Sequence, residues 1–218
     1  MAPNNGLDGP RLPAASGKAK SLVIFLHGYG ADGHDLIGLG NEWQRALPDT
    51  EFVSPHAPEP LPQSPSGRQW WDLNVRSDAE RWAGLNRSGP GLDAFITAEL
   101  ERTGLPAGKL ALVGFSQGTM MALHVGLRRP QALAGIIGYS GILAGAEHLK
   151  GEIKSRPPVF LAHGTMDQVI PVDALVSSVE ALAENEVPRS WHVAHGMAHG
   201  IDRTGLSLGA EFLQKRLS

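Results

Sequence analysis

The segment that decides the fold lies in the middle of the chain and reads LALVGFSQGTMMAL, residues 110–123. Its first half is a short apolar run that a glycine ends, which is typical of a strand buried on both faces of a sheet. Its second half predicts a helix that continues to Arg129 and stops before Pro130. Ser116 therefore lies at a tight turn between a strand and a helix.

Gly114 and Gly118 flank Ser116 and complete the pattern G-x-S-x-G. At such a turn the serine backbone is strained and side chains two positions away would clash, which glycine avoids. The turn also points the serine at a helix N-terminus, where free N–H groups favour developing negative charge. A serine that merely caps the helix is the alternative, but the strand before it and the helix after it favour a nucleophile. We predict that Ser116 is the catalytic nucleophile.

Strands and helices alternate on both sides of this turn. Apolar runs predict strands at residues 22–26, 51–54, 109–115, 134–139, 158–162 and 189–193. Helical spacing of apolar residues predicts helices at residues 35–47, 92–102, 117–129, 172–184 and 204–217. This order predicts an α/β protein with a doubly wound, mostly parallel sheet that helices cover on both faces. Because no repeat or linker divides the chain, residues 21–218 are expected to form a single domain.

Two segments depart from the alternation. Residues 1–20 are rich in proline, glycine and alanine, lack the apolar core of a signal peptide, and are predicted to be a flexible leader. Residues 55–91 begin with a cluster of prolines and contain three tryptophans, so we expect a lid-like loop rather than a disordered one. In this loop Trp70, Trp71 and Trp82 are predicted to line the substrate pocket, together with Met166 from a later turn.

The composition excludes several classes of protein. With 42% apolar and 19% charged residues the chain is expected to fold, and a net charge of −3 without a basic stripe argues against a nucleic-acid partner. The absence of cysteine excludes disulfides, thiolate metal sites and a cysteine nucleophile. No apolar run approaches the roughly 20 residues of a membrane span. We therefore expect a cytoplasmic protein that needs no cofactor and is not inserted in a membrane.

A serine nucleophile needs a histidine base and a third group that orients it. The base must come from the loop after the last strand, where His195 and His199 are the candidates. His199 is preferred because it lies deeper in the loop and just before the final helix. Asp167 is the predicted acid, since it follows the strand at residues 158–162 at the edge where open α/β sheets gather their sites. Asp202 is better explained as the start of the last helix.

Histidines 192, 195 and 199 could also be read as metal ligands. His195 and His199 are four positions apart, but Gly196 and Gly200 make it unfavourable for them to lie on one helix as a pair of ligands. In addition, no carboxylate or cysteine completes the spacing of a metal site. We therefore predict no metal site.

The oxyanion formed during acyl transfer must be met by preorganised N–H donors. One predicted donor is the backbone N–H of Gln117, the residue after the nucleophile. The other is the Tyr29 N–H, in the loop HGYG that follows the first predicted strand. A glycine turn needed only for the chain to leave the strand is the alternative for this loop.

Together these motifs resemble the carboxylesterase/phospholipase family, which includes acyl-protein thioesterases. The resemblance extends from Leu22 onward and rests on LHGYG at 26–30, RQWWD at 68–72, GFSQG at 114–118, HGTMD at 163–167 and GMAH at 196–199. It implies an α/β-hydrolase fold, a triad of Ser116, Asp167 and His199, and an oxyanion hole from the Tyr29 and Gln117 N–H groups. It also implies a small-molecule or lipid-like ester or thioester substrate and often a homodimer.

Three positions depart from the thioesterase pattern: Tyr29 replaces a leucine, Thr119 a further glycine, and Trp71 a phenylalanine. We therefore expect a serine carboxylesterase of bacterial type, with acyl-protein thioesterase or lysophospholipase activity as alternatives. A non-catalytic homologue that only binds a ligand is the alternative from another class.

Overall fold

The protein was analysed as a computed structural model, which describes residues 6–62, 64–73 and 77–218. Its strands are β1 (Arg11–Leu12), β2 (Ser21–Leu26), β3 (Thr50–Val53), β4 (Glu59–Leu61), β5 (Ser64–Gln69), β6 (Leu110–Phe115), β7 (Gly135–Tyr139), β8 (Val159–Gly164) and β9 (Arg189–Ala194). Within the described ranges, the main sheet has the order β1-β3-β2-β6-β7-β8-β9, and β4 and β5 form a separate hairpin. All pairs of the main sheet are parallel except β1 with β3. The predicted mostly parallel sheet is confirmed.

Helices cover both faces of this sheet. They are α1 (Gly33–Trp43), α2 (Asp78–Thr103), α3 (Gln117–Gly126), α4 (Ala146–Glu152), α5 (Asp173–Glu184) and α6 (Arg203–Leu217). Apolar side chains of α2, α3, α4 and α5 belong to one buried cluster, and those of α1 and α6 belong to a second. The fold is thus doubly wound, as predicted. Among the helices of the described ranges, none combines the length and the apolar character that crossing a bilayer requires.

Strand β2 shows why the sheet-forming segments are continuously apolar. Leu22, Ile24 and Leu26 point into one cluster and Val23 and Phe25 into the other, and all five are fully buried. Burial of one such side chain stabilises the fold by about 1.5–3 kcal/mol, so a polar residue on either face would be costly. In the parallel register of β2 with β6, Leu26 lies opposite Gly114. The loop after β2 and the serine turn after β6 therefore emerge side by side.

The expected leader at residues 1–20 is not loosely packed over its described part. Arg11 and Leu12 form β1, which pairs with β3 at the end of the main sheet, and Leu7 is buried. The Arg11 guanidinium donates two hydrogen bonds of 2.7 Å to the carboxylate of Glu99 on α2. A strand of two residues is too short to produce a sequence pattern, which is why composition alone indicated a leader. Residues 1–5 lie outside the described residues.

The expected loop at residues 55–91 contains more regular structure than predicted. The hairpin β4–β5 occupies its first part, and α2 begins at Asp78 rather than at the predicted residue 92. The Ser77 side chain caps α2 by accepting a hydrogen bond from the Glu80 N–H. The helix continues through Pro90 and its neighbouring glycines, within the segment where a loop was predicted. The parts of this predicted loop at residues 63 and 74–76 lie outside the described residues.

Candidate active site

Ser116 lies at the turn between β6 and α3, in a strained backbone conformation with φ 53° and ψ −116°. This region is sparsely populated by residues other than glycine and is typical of functional turns. A Cβ on Gly114 would lie 2.4 Å from the Gly118 oxygen, and one on Gly118 would lie 1.8 Å from the Leu26 oxygen. The structure therefore explains both glycines of the pattern: a side chain at either position would collide with backbone.

Asp167 and His199 are joined by a hydrogen bond of 2.7 Å between Asp167 Oδ2 and His199 Nδ1. Asp167 follows β8, and His199 lies in the loop between β9 and α6. The second carboxylate oxygen of Asp167 accepts hydrogen bonds from the N–H groups of Val169 at 2.8 Å and Ile170 at 2.9 Å. These three donors fix the carboxylate, which in turn holds the imidazole with Nδ1 protonated and Nε2 free to take a proton.

The surroundings of Asp167 keep it ionised. Burial by itself raises the pKa of this carboxyl, but the hydrogen bonds from the Ile170 N–H, the His199 ring and the Val169 N–H outweigh burial. The pKa of Asp167 therefore lies below its ordinary value. A carboxylate that stays charged at neutral pH can stabilise a histidine that becomes protonated during a reaction.

Ser116 and His199 line one cavity of about 190 Å³. The His199 ring packs against the Phe115 ring, with 4.9 Å between the ring centroids. Within the described structure no hydrogen bond joins the Ser116 hydroxyl to His199, a looseness that is common before substrate binds. The other lining residues are mostly apolar: Tyr29, Leu73, Arg81, Gln117, Met120, Val169 and Ile170. Apart from Tyr29 and Gln117, sequence reasoning did not identify these.

The predicted oxyanion loop lies directly against the nucleophile. A Cβ on Gly28 would lie 3.3 Å from the Ser116 Cβ, so the loop after β2 runs close to the serine and a larger residue at position 28 would crowd it. The Gly30 N–H donates to the Arg68 carbonyl at 2.9 Å, and the Arg68 N–H donates to the Ala31 carbonyl at 2.8 Å. These bonds fasten the loop that carries Tyr29 to β5. The Gln117 N–H lies at the first turn of α3, on the other side of Ser116.

The predicted pocket residues are placed differently. Trp70 and Trp71 are fully buried and do not line the cavity, so their expected role as a pocket wall is wrong. The Trp82 ring stacks on the His148 ring at 4.1 Å between centroids, away from the cavity lining. Met166 is 58% exposed and also lies outside the lining. These residues were predicted from the sequence as pocket residues because they are large and apolar. Only the three-dimensional packing shows which apolar residues line the cavity beside the serine.

The remaining histidines are accounted for by local structure. His195 is exposed, and His192 pairs at 3.0 Å with Asp202, which caps α6. His163 is buried, and its Nε2 lies 2.8 Å from the Ile170 oxygen and 3.2 Å from Asp167 Oδ2. It therefore packs beside the acid and contacts Ile170, but it does not itself line the cavity. Its position four residues before Asp167 in HGTMD is the one signal in the sequence for this contact.

A group of potential metal ligands, Asp32, His34 and His56, lies at the start of α1 and not at the histidines considered in the sequence. Asp32 caps α1 by accepting the His34 N–H at 2.7 Å. The His56 Nδ1 accepts the Gly33 N–H at 3.1 Å. These hydrogen bonds give the group a structural explanation as a helix cap.

This fold and this site define a class of protein, the serine hydrolases of the α/β-hydrolase fold. The chain matches the phospholipase/carboxylesterase family over residues 7–217, and it belongs to that family.

Named relatives support the same class. The chain is 31% identical to acyl-protein thioesterase 1 of Neurospora crassa, with 95% of this chain and 91% of the relative covered. It is 32% identical to acyl-protein thioesterase 1 of Schizosaccharomyces pombe, with 76% of each covered. Among solved structures it is similar to esterase PE8, with 45% identity, a TM-score of 0.93, and coverage of 97% of this chain and 99% of the other. A phospholipase/carboxylesterase from Dyadobacter fermentans is 25% identical with a TM-score of 0.77, covering 95% and 96% of the two chains.

Proposed function

We propose that this protein is a serine carboxylesterase that hydrolyses carboxylic esters through an acyl-enzyme intermediate. The observation that carries the proposal is the hydrogen bond between the buried Asp167 carboxylate and His199, beside the cavity that Ser116 and His199 share. This arrangement provides a nucleophile, a base and an orienting acid in the chain order of α/β-hydrolases.

In the first step the Ser116 Oγ attacks the ester carbonyl carbon while its proton passes to His199 Nε2. The tetrahedral intermediate collapses as the C–O bond to the alcohol breaks, and His199 returns the proton to the leaving oxygen. In the second step His199 takes a proton from water, whose oxygen attacks the acyl carbon. The new tetrahedral intermediate collapses as the C–O bond to Ser116 breaks, and His199 returns the proton to Ser116 Oγ as the acid leaves. Asp167 stabilises the protonated imidazole in both steps.

The size of the cavity favours a short acyl group. At about 190 Å³ the cavity is smaller than the roughly 300–1,000 Å³ of typical ligand pockets, so it suits a small acyl group better than a long one. Apolar residues such as Met120 and Ile170 form much of its wall. We therefore propose small carboxylic esters with short acyl groups as the substrate class.

Hydrolysis of acyl thioesters is the second candidate, because the curated relatives are acyl-protein thioesterases. Tyr29, Met166 and Val169 are each at least 42% exposed, so part of a longer acyl chain could lie along them outside the cavity. The attacking groups and steps are the same for both substrate classes.

The test compares p-nitrophenyl esters of increasing acyl length with a lysophospholipid and an acyl thioester. We expect the highest kcat/KM on short esters, loss of activity in Ser116→Ala, and no change in the control Ser177→Ala, an exposed serine on α5. Wild-type protein that binds these substrates without turnover would instead identify a non-catalytic homologue.

A further inference from the structure

The side chain of Gln117 is buried and joined to a distant part of the chain. Its Oε1 accepts the Trp70 N–H at 2.9 Å, and its Nε2 donates to the Trp71 carbonyl at 2.8 Å. Both ends of the carboxamide are therefore used, and the backbone at residues 70 and 71 is fixed to the first residue of α3. Gln117 is also the residue whose N–H is the proposed oxyanion donor next to Ser116.

The indole of Trp70 continues this connection to the end of β2. Its Nε1–H donates to the His27 carbonyl at 3.0 Å, and its ring lies beside the His27 ring with 5.8 Å between centroids. The Ser88 hydroxyl on α2 donates to the Trp70 carbonyl, which fixes the same residue from a third direction. Trp70 is fully buried, so these bonds are shielded from water.

The ring of His27 completes the path to the oxyanion loop. Its Nε2 lies 2.9 Å from the Ala57 N–H, which can only donate, so the proton of the neutral ring must be on Nδ1. The Nδ1–H then donates to the Gly28 carbonyl at 2.8 Å. That carbonyl and the Tyr29 N–H belong to one peptide unit. Because the peptide is planar and trans, the direction of one group fixes the direction of the other.

We propose that His27, Trp70 and Gln117 form a buried brace that holds the two oxyanion-hole N–H groups, those of Tyr29 and Gln117, at a fixed separation. The brace is continuous from the Gln117 carboxamide through the Trp70 indole and the His27 ring to the Gly28–Tyr29 peptide. The side chains of its members act as positioning groups, since they do not touch the reacting atoms; only the backbone N–H of Gln117 faces the oxyanion. This inference rests on the proposed esterase function and adds a mechanism for its oxyanion hole.

Trp71 provides a matched control for Trp70. Both indoles are fully buried and adjacent in sequence, but the Trp71 Nε1–H has no hydrogen-bond partner among the described residues. Replacement of either tryptophan by phenylalanine removes similar apolar area. Only Trp70→Phe removes a hydrogen bond of the brace, so a difference in activity between the two variants measures the brace and not core packing.

The first experiment measures kcat and KM of Trp70→Phe and Trp71→Phe on a short p-nitrophenyl ester, below the melting temperature of both. We expect kcat of Trp70→Phe to fall about 10-fold or more with KM within about 2-fold, because a displaced donor weakens binding of the transition state only. Trp71→Phe should stay within about 2-fold of wild type. Equal kcat in the two variants would overturn the brace.

A second experiment tests the His27 ring and does not depend on the folding of Trp70→Phe. His27→Asn places an N–H donor where Nδ1 lies, whereas His27→Leu removes it. We expect His27→Asn to retain at least about 10-fold more kcat than His27→Leu, and affinity for an aryl boronic acid, which binds as an anionic tetrahedral adduct, to follow the same order. Equal kcat and equal boronate affinity in the two variants would contradict the proposal.

Failure of the brace is distinguishable from failure of the proposed function. If the brace is wrong, Ser116→Ala still abolishes activity while Trp70→Phe and Trp71→Phe match. If Ser116→Ala retains wild-type activity, the esterase mechanism itself is wrong, whatever the tryptophan variants do.

Discussion

His195 and His199 lie four residues apart in one loop, and only one of them contacts the acid. His199 Nδ1 is 2.7 Å from Asp167 Oδ2, whereas His195 is exposed. We predict that His199→Ala lowers kcat about 10³-fold or more, because the serine loses its base. His195→Ala should leave kcat within about 2-fold. Steady-state hydrolysis of a short ester by both variants checks this, and comparable losses would contradict the assignment of the base.

Replacement of a glycine by alanine should have opposite effects at the serine turn and inside α2. Gly118→Ala places a Cβ 1.8 Å from the Leu26 backbone oxygen, so we predict a loss of at least about 3 kcal/mol in the free energy of unfolding, or no folding. Gly91 lies within α2 with open space at its Cβ position. Gly91→Ala should therefore stabilise the protein by about 0.5–1 kcal/mol. Urea denaturation measures the free energy of unfolding of both variants. A Gly118→Ala variant as stable as wild type would contradict the described turn at Ser116.

The sequence was enough to predict that Ser116, Asp167 and His199 lie together, because the motif G-x-S-x-G and the chain order of acid and base can be read from it directly, and the structure brings the three residues to one cavity and one hydrogen bond. The pocket was not, since Trp70 and Trp71 have the composition of a pocket wall but lie in the core. Thr119, which departs from the thioesterase pattern, is explained only by packing. A Cβ on Gly138 or Gly141 would lie within 2.6 Å of the Thr119 side chain, so these glycines make room for it.

Helix α2 contains the largest difference between sequence and structure among the elements. It runs for 26 residues and includes Pro90, which removes one helical hydrogen bond and normally signals a helix end. Tertiary packing compensates, because Leu85 before the proline and Leu92 after it are both fully buried in the same cluster. Local propensity alone could not reveal that the two halves share one buried face.

An ion-pair network joins α2 to β1 and β3, at one edge of the main sheet. Glu99 is buried and accepts hydrogen bonds from Arg11 beside β3 and from Arg102 one turn further along α2. We predict that Glu99→Gln lowers the free energy of unfolding by about 1–3 kcal/mol at pH 7, with partial exposure of both arginines limiting the loss. Asp49→Asn, which breaks an exposed pair with Lys20, should leave stability nearly unchanged.

The pH dependence of this network has a definite sign. Burial raises the pKa of Glu99, but the hydrogen bonds from Arg11 and Arg102 outweigh burial and hold it below its ordinary value. A carboxyl group whose pKa is lower in the folded than in the unfolded state stabilises the fold at pH values above its unfolded pKa. This stabilisation is lost as the pH falls through the folded-state pKa. The difference in the free energy of unfolding between wild type and Glu99→Gln should therefore have its full size at pH 7 and become smaller below about pH 4. A difference that does not change with pH would contradict this assignment.

For the molecule as a whole, the alternation of strands and helices was enough to predict a doubly wound sheet, since each apolar strand must be covered on both faces. The N-terminal segment was not predictable in this way. Leu7 and Arg11 are integrated through contacts with β3 and α2, far along the chain, and such pairings leave no local pattern. The brace from Gln117 to His27 belongs to the same category, because the hydrogen bonds that join Trp70 to Gln117 and to His27 connect residues more than 40 positions apart.

Ser116 is proposed as the nucleophile that Asp167 and His199 activate. Intact and peptide mass spectrometry after treatment of the folded protein with an active-site phosphonate tests it most directly. We predict one covalent adduct per chain, located on the peptide that contains Ser116, absent in Ser116→Ala and much slower to form in His199→Ala. An unchanged intact mass in protein that hydrolyses esters, or an adduct on another residue, would contradict the account.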